Sequence, residues 1–154
     1  MKIEAKKIET MRDHDGGQAF SANIYVDGKK VGYVIEDGWG GPLNVGIKKE
    51  DCQRIEAHMK TLPDVDTKCT EALEYFLSEL VCSVLDTREL KRKLKKPMAF
   101  EKGKEKEGIV TWKCKWTETE KIDRIRKQYP NYIFLNELPF DEAMKIWNPE
   151  PVFE

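Results

Sequence analysis

A glycine-rich segment, Asp37-Gly38-Trp39-Gly40-Gly41-Pro42, is the first candidate for chemistry in this chain of 154 residues. Glycines allow positive φ angles and let a ligand approach backbone N–H groups, as in anion-binding loops. Phosphate-binding loops usually open into a helix and carry a lysine, whereas Pro42 and an extended stretch follow here, so the pattern disfavours a nucleotide site. Trp39 is suited to stacking on a base or anchoring a protein partner, and equally to folding back onto the core. The candidate binding residues are Asp37, Gly38, Trp39, Gly40 and Gly41.

A basic segment is the second candidate, because six lysines and arginines fall within the nine residues from 88 to 96. Such a cluster attracts phosphates in a salt-dependent, sequence-independent way. Two lysines on a predicted neighbouring strand extend it, and Trp39 or Tyr132 could supply a stacking aromatic ring. The alternative is a solvated helix C-terminus, where basic side chains complement the helix dipole. The candidate nucleic-acid residues are Arg88, Lys91, Arg92, Lys93, Lys95, Lys96, Lys113 and Lys115.

Residues for metal or nucleophilic chemistry are few. Asp13-His14-Asp15 has suitable ligand types, but adjacent side chains of a glycine-rich turn rarely converge on one ion. Cys52 precedes His58 by six residues, which separates the two by about 240° on a helix. The four cysteines form no CxxC pair, which indicates free thiols in a reducing compartment. We therefore expect no catalytic residue, no metal and no cofactor, and hence a protein that is not an enzyme.

Charge is unevenly distributed along the chain. The net charge is −1, but residues 88–106 carry nine basic and three acidic side chains, and the remaining 135 residues carry 18 basic and 25 acidic ones. The apolar content is sufficient for an ordered core, which predicts a single domain over residues 1–148 and a loose tail over 149–154. The sequence shows neither a signal-peptide core nor a membrane-spanning stretch, so we expect a soluble, cytoplasmic protein.

Apolar residues alternate on both sides of Asp27-Gly28, which predicts a β-hairpin preceded by a strand over residues 2–10. A two-residue turn also predicts the register, in which the paired residues share one face of the sheet. The predicted pairs are Val26 with Lys29, Ile24 with Val31, Ala22 with Tyr33, and Phe20 with Ile35.

Helical and strand patterns alternate after the glycine-rich segment. The sequence predicts helices over 49–60, over about 67–95 with Asp66 or Thr67 as N-cap, from Thr117 or Thr119 to about 128, and from Pro139. It predicts strands over 97–101, 108–116 and 132–136, the second of which places Val110, Trp112, Cys114 and Trp116 on one face.

These elements define an α+β fold, with an N-terminal antiparallel hairpin or meander, one long central helix, and a ββαβα portion that packs on antiparallel sheet. If residues 44–48 also form a strand, residues 44–136 follow the β-α-β-β-α-β order of ferredoxin-like folds.

Two segments, FSANIYVDGKKVGYVIEDGWGGP (20–42) and FLNELPFDEAMKIW (134–147), resemble a family of uncharacterised small proteins of bacteriophages and mobile elements. The resemblance covers about a quarter of the chain. It implies no activity and no catalytic residues. It does imply a protein that works by binding a host factor, such as a defence protein, a nuclease or a signalling nucleotide.

Two functional hypotheses follow. The first is a non-enzymatic binding protein, for example an inhibitor of a host protein, which contacts a protein or small ligand through residues 37–41 and which could also use a sheet edge for β-augmentation. The second is a nucleic-acid-binding module that uses the basic segment with Lys113 and Lys115.

Overall fold

A computed structural model describes residues 1–12, 18–63, 65–105 and 107–148. It has the predicted α+β fold, with four helices and two antiparallel sheets in these ranges. The chain divides into a first compact unit, Met1–Val84, and a second that begins at Leu85, so the boundary falls within the long helix. The single domain over 1–148 stays a prediction. The predicted tail over 149–154 and the Asp13-His14-Asp15 motif lie outside the described residues.

Four antiparallel strands form the sheet of the first unit in the order β1-β2-β3-β4. They are β1 (Ile3–Arg12), β2 (Gln18–Val26), β3 (Lys29–Glu36) and β4 (Asn44–Ile47). The turn between β2 and β3 has φ angles of 48° at Asp27 and 81° at Gly28. Both angles are positive, as a type I′ turn requires. The predicted hairpin and its turn are therefore confirmed.

The predicted register of this hairpin is wrong beyond the turn. Val26 pairs with Lys29, but a bulge then leaves Val31 without a partner in β2. The predicted pairs of Ile24 with Val31, Ala22 with Tyr33 and Phe20 with Ile35 are replaced by Ile24 with Gly32, Ala22 with Val34 and Phe20 with Glu36. Since a shift by one residue reverses the faces of a strand, Val34 is fully buried and Tyr33 is exposed.

Close packing between β3 and β4 accompanies this register. Gly32 lies against β4, where an added Cβ would be 2.2 Å from the Gly46 carbonyl oxygen. The Tyr33 ring covers Gly46 on the outer face, with ring carbons 2.3 and 2.4 Å from the position that a Cβ of Gly46 would occupy. Absent side chains at these two glycines therefore allow β4 to join the sheet.

One hydrophobic cluster of the first unit joins Val26 of the sheet to Ile55 and Met59 of α1 (Lys49–Met59). The long helix α2 (Ala72–Lys93) begins later than predicted, and neither Asp66 nor Thr67 is its N-cap. Asp66 Oδ1 instead accepts a hydrogen bond from the Lys68 N–H at 2.9 Å, which closes a local turn before the helix.

The second unit contains a three-stranded antiparallel sheet in the order β6-β5-β7. Its elements are β5 (Met98–Glu101), β6 (Val110–Thr111), α3 (Thr119–Gln128), β7 (Tyr132–Phe134), a 3-10 turn (Leu135–Glu137) and α4 (Phe140–Trp147). One buried cluster in it contains Leu90, Met98, Phe100, Leu135 and Ala143. The ferredoxin-like alternative is wrong, because β4 pairs with β3 and does not share a sheet with β5–β7.

The predicted strand over 108–116 is limited to two residues, Val110 and Thr111. Beyond them the backbone bonds to the segment that follows α2. The Trp112 N–H donates to the Pro97 oxygen at 3.1 Å, and the Trp116 N–H donates to the Lys95 oxygen at 2.8 Å. Trp112, Cys114 and Trp116 are half-buried and Lys113 and Lys115 exposed, as the alternation predicted. Val110, predicted on the same face as the tryptophans, is instead 43% exposed.

The N-cap predicted for the next helix is also wrong. Glu118 occupies the N-cap position of α3, between the two predicted threonines Thr117 and Thr119. Its Oε2 accepts a hydrogen bond from the Lys115 N–H at 2.6 Å, and its Oε1 bonds Lys121 Nζ. The hydrogen bond from Lys121, followed by that from the Lys115 backbone, lowers the pKa of the Glu118 carboxyl group.

Candidate functional site

The glycine-rich segment forms the loop between β3 and β4. These strands are paired up to Ile35 and Asn44, so the sheet holds both ends of the loop. Gly38 and Gly40 have φ angles of 81° and 74°, in the region that favours glycine. The loop therefore begins and ends on two strands that are hydrogen-bonded to each other.

Two carboxylates shape this loop from within. The Gly38 N–H donates to Glu36 Oε1 at 3.1 Å, and the Trp39 N–H donates to Asp37 Oδ1 at 2.9 Å. The Trp39 side chain is 79% exposed. Of the two interpretations that the sequence leaves open, burial of Trp39 against the core is therefore excluded, and the ring lies in solvent.

A cleft of about 450 Å³ lies beside the loop within the first unit. The loop supplies one wall, and the residues around the start of α2 supply the other. The Leu43 N–H links the two walls by donating to Glu74 Oε2 at 3.2 Å. Tyr75 lines the cleft although its side chain is 61% exposed. The lining residues are Glu36, Gly40, Gly41, Pro42, Leu43, Glu71, Glu74, Tyr75 and Ser78.

The charge of this cleft is negative. Glu36, Glu71 and Glu74 line it, and within the described ranges none of these three carboxylates forms an ion pair with a lysine, arginine or histidine. Sequence reasoning missed the residues of α2, which lie more than 30 positions after the loop. The available signal was Tyr75, a large aromatic residue off the buried stripe of the helix.

The basic segment lies on the last turns of α2 and just beyond. Its side chains are exposed except that of Lys93, which is half-buried. Glu89 Oε1 pairs with Lys93 at 3.0 Å and with Arg92 at 3.7 Å. Lys91 and Lys93 also lie over aromatic rings of α4, at 5.4 Å from the Phe140 centroid and 5.1 Å from the Trp147 centroid. Three of the six cations of the basic segment, Lys91, Arg92 and Lys93, therefore have intramolecular contacts.

The two lysines beyond β6 lie next to the end of this segment. The hydrogen bonds from Trp112 and Trp116 hold residues 112–116 alongside residues 95–97. No ion pair in the described part of the chain involves Lys95, Lys96, Lys113 or Lys115. The structure thus brings four lysines that form no ion pair with a described residue into one neighbourhood of the second unit, where the Glu118 carboxylate lies close to Lys115.

Asn136 holds the backbone on which two of these lysines stand. Its Nδ2 donates to the Leu94 oxygen at 2.7 Å and to the Lys96 oxygen at 3.0 Å, and its Oδ1 accepts from the Met98 N–H at 2.9 Å. Sequence reasoning missed this residue, because its partners lie about 40 positions earlier in the chain.

Of the aromatic residues proposed to stack on a base, Trp39 belongs to the first unit. Tyr132 belongs to the second unit, where it packs on Tyr129 with a centroid distance of 5.2 Å and on Trp112 at 6.3 Å.

The described residues do not bring histidine and cysteine together. His58 Nδ1 lies 3.4 Å from the Thr61 hydroxyl, and the Cys52 thiol donates to the Ile47 oxygen at 3.7 Å. Burial, followed by the charges of Glu56 and Asp51, raises the pKa of the Cys52 thiol, which favours the unreactive protonated form. Among these residues no group of three or more His, Cys, Asp or Glu side chains could hold a metal ion.

Comparison of the chain with protein-family models, with curated proteins and with solved structures finds no match. None of the helices in the described ranges is both long and apolar enough to cross a membrane.

Proposed function

We propose that this chain is a non-enzymatic, cytoplasmic binding protein that contacts a protein partner through the loop residues Asp37 to Gly41. The observation that carries the proposal is the 79% exposure of Trp39. Tryptophan is enriched among the residues that dominate binding energy at interfaces, because its large rigid ring buries much apolar surface when a partner covers it.

The support of the loop adds to this argument. A binding side chain is most effective when its backbone is held before the partner arrives, because less conformational entropy is then lost on association. The β3–β4 pairing and the hydrogen bonds that Glu36 and Asp37 accept from the Gly38 and Trp39 N–H groups provide such support. Because segments 20–42 and 134–147 resemble phage and mobile-element proteins, a bacterial host factor that the chain inhibits is the partner class to test first.

Replacement of Trp39 by alanine is expected to abolish capture of the partner while changing the free energy of unfolding by less than about 1 kcal/mol, since a core tryptophan would cost roughly 3–5 kcal/mol. Capture is measured by affinity purification from bacterial lysate with and without nuclease, and stability by urea denaturation. Met11→Ala is the matched control, because Met11 is 57% exposed in the same unit but lies outside the loop. Capture of the same proteins by both variants would contradict the proposal.

A second candidate function, nucleic-acid binding, is favoured by one observation, the placement of Lys113 and Lys115 beside Lys95 and Lys96. Four cations that form no ion pair in the described part of the chain supply electrostatic attraction of the kind that non-specific phosphate binding requires. This surface belongs to the second unit and the loop to the first, so the two functions can be tested independently.

The triple variant Lys96→Glu, Lys113→Glu and Lys115→Glu is expected to lose affinity for a 20-nucleotide single strand. The log–log slope of affinity against salt should become shallower by about 2, at roughly 0.7 for each lost phosphate contact. Fluorescence anisotropy over a range of salt concentrations measures both quantities. The control variant Lys29→Glu, Lys30→Glu and Lys49→Glu makes the same change in net charge at exposed positions of the first unit. Equal losses in the two variants would exclude a local site.

A further inference from the structure

The cleft beside the Trp39 loop also indicates what kind of partner the loop meets. We propose that it binds a lysine- or arginine-bearing segment of the partner protein, an inference that rests on the proposed function of the loop. Three features of the cleft lead to this class of partner: its shape, its exposed aromatic residues and its charge.

The shape suits a side chain or a short segment. The cleft is an open groove of about 450 Å³ between residues 40–43 of the loop and the exposed face of residues 71–78. The hydrogen bond from the Leu43 N–H to Glu74 ties the two walls together, so the groove exists without a ligand. Binding sites that are largely formed in advance lose little free energy to reorganisation.

An exposed aromatic ring in the groove favours a cation with an apolar stem. Tyr75 is 61% exposed while lining the groove, and Trp39, which does not line it, is the chain neighbour of the lining residue Gly40. Flat aromatic faces attract lysine and arginine through their quadrupole, most strongly in the case of tryptophan and arginine. The methylene groups of a long basic side chain can cover the same rings.

Charge complementarity selects a cation over other ligands. Glu36 and Glu74 each use one carboxylate oxygen for a backbone N–H, which fixes their side chains and leaves the other oxygen able to accept. Glu71 adds a third carboxylate, and none of the three has a basic partner within the described ranges. A guanidinium group matches a carboxylate in both charge and geometry, whereas a phosphate chain would be repelled here.

The test is a titration of the isotopically labelled full chain with two blocked pentapeptides, followed by amide NMR. One peptide is Gly-Arg-Leu-Arg-Gly, and the other carries citrulline in place of each arginine, which keeps the shape and removes the charge. The arginine peptide is expected to shift the amide signals of Gly40, Gly41 and Ser78, and the citrulline peptide is expected to leave them in place. Added salt should weaken the binding.

Variants locate the binding. The double variant Glu71→Gln and Glu74→Gln keeps an acceptor for the Leu43 N–H and is expected to bind the arginine peptide about fivefold more weakly, the usual upper effect of an exposed ion pair. Glu50→Gln with Glu56→Gln removes two exposed carboxylates from α1 of the same unit and should change nothing.

Two results would overturn the inference: equal shifts with both peptides, or an unchanged affinity in the Glu71/Glu74 variant. Neither result would contradict the proposed function of the loop. That function is contradicted only if Trp39→Ala captures the same proteins as the unaltered chain. Suppose that a partner is lost with Trp39→Ala but is retained fully by the Glu71/Glu74 variant. The loop would then remain a binding site, and a lysine- or arginine-bearing segment of the partner would be excluded as the ligand of the cleft.

Discussion

Replacement of Gly32 by alanine is expected to lower the free energy of unfolding of the first unit by about 3 kcal/mol, at the upper end of the usual cost of overpacking. The added Cβ would lie 2.2 Å from the Gly46 carbonyl oxygen and 2.9 Å from the Ile47 Cα. Both atoms belong to the backbone of β4, so a rotation of side chains cannot relieve the contact. The strand β4 must move away from β3, and the paired residues that hold the Trp39 loop separate.

Gly41→Ala is the matched control for this substitution, because it makes the same chemical change at a position with no atom within 4 Å of the added Cβ. Amide hydrogen exchange of Val34 and Val45, which pair across β3 and β4, reports the local effect, and urea denaturation gives the total loss. Similar stability of the two variants would show that β4 adapts without leaving the sheet.

Asn136→Ala is expected to destabilise the second unit by about 2–3 kcal/mol, roughly 1 kcal/mol for each of three hydrogen bonds. The lost side chain leaves the Leu94 and Lys96 oxygens and the Met98 N–H without this partner, at the point where α2 gives way to β5. Since Lys95 and Lys96 stand on the same backbone, the variant should also bind single strands more weakly if the basic segment contacts phosphate.

Tryptophan fluorescence during urea denaturation measures this loss, because Trp112, Trp116 and Trp147 are half-buried in the second unit. Asn131→Ala is the control, since among the described residues Asn131 takes part in one hydrogen bond, which its backbone oxygen accepts from the Lys102 N–H. Asn136→Asp keeps the acceptor for Met98 but replaces the two donors by a carboxylate facing two carbonyl oxygens, so it should be no more stable than the alanine variant. Full stability of Asn136→Asp would refute the donor role.

Local chemistry explains what the sequence could predict of the hairpin. The Asp27-Gly28 turn is determined by two residues that tolerate positive φ angles, and both adopt them. The register beyond the turn depends on Gly32, Tyr33 and Gly46, which meet across two strands separated by the loop. Because Val31, Tyr33, Val34 and Ile35 are all apolar or aromatic, alternation alone could not select the phase of β3.

Residues 112–116 show a different limit of the sequence pattern. Their alternation predicted correctly which side chains are exposed, because an extended backbone turns successive residues to opposite sides with or without a sheet. It could not predict that the hydrogen-bond partners are the Lys95 and Pro97 oxygens rather than a neighbouring strand. The alternation of apolar and polar residues indicates on which side each side chain lies. The backbone hydrogen-bond partners depend on residues that are distant in the sequence.

Only part of the candidate site could be predicted from the sequence, because its two walls come from residues that are distant in the chain. The glycines and Trp39 drew attention to residues 37–41, but the exposure of the ring depends on bonds to Asp37 and Glu36 that fix the loop. The other wall of the cleft, with Glu74 and Tyr75, comes from α2, and no sequence signal relates that helix to the loop.

The irregular strand β1 has a consequence for the behaviour of the chain at high concentration. It is an edge of the first sheet, its pairing with β2 shifts between Lys6 and Glu9, and Lys7 has a φ angle of 52°. Unpaired edges are the places where sheets of separate molecules join and aggregate, and bulges and lysines are the usual protection. The opposite edge, β4, has only four residues. Both edges of this sheet thus oppose fibril-like growth, and for the same reason they are poor places for an added strand.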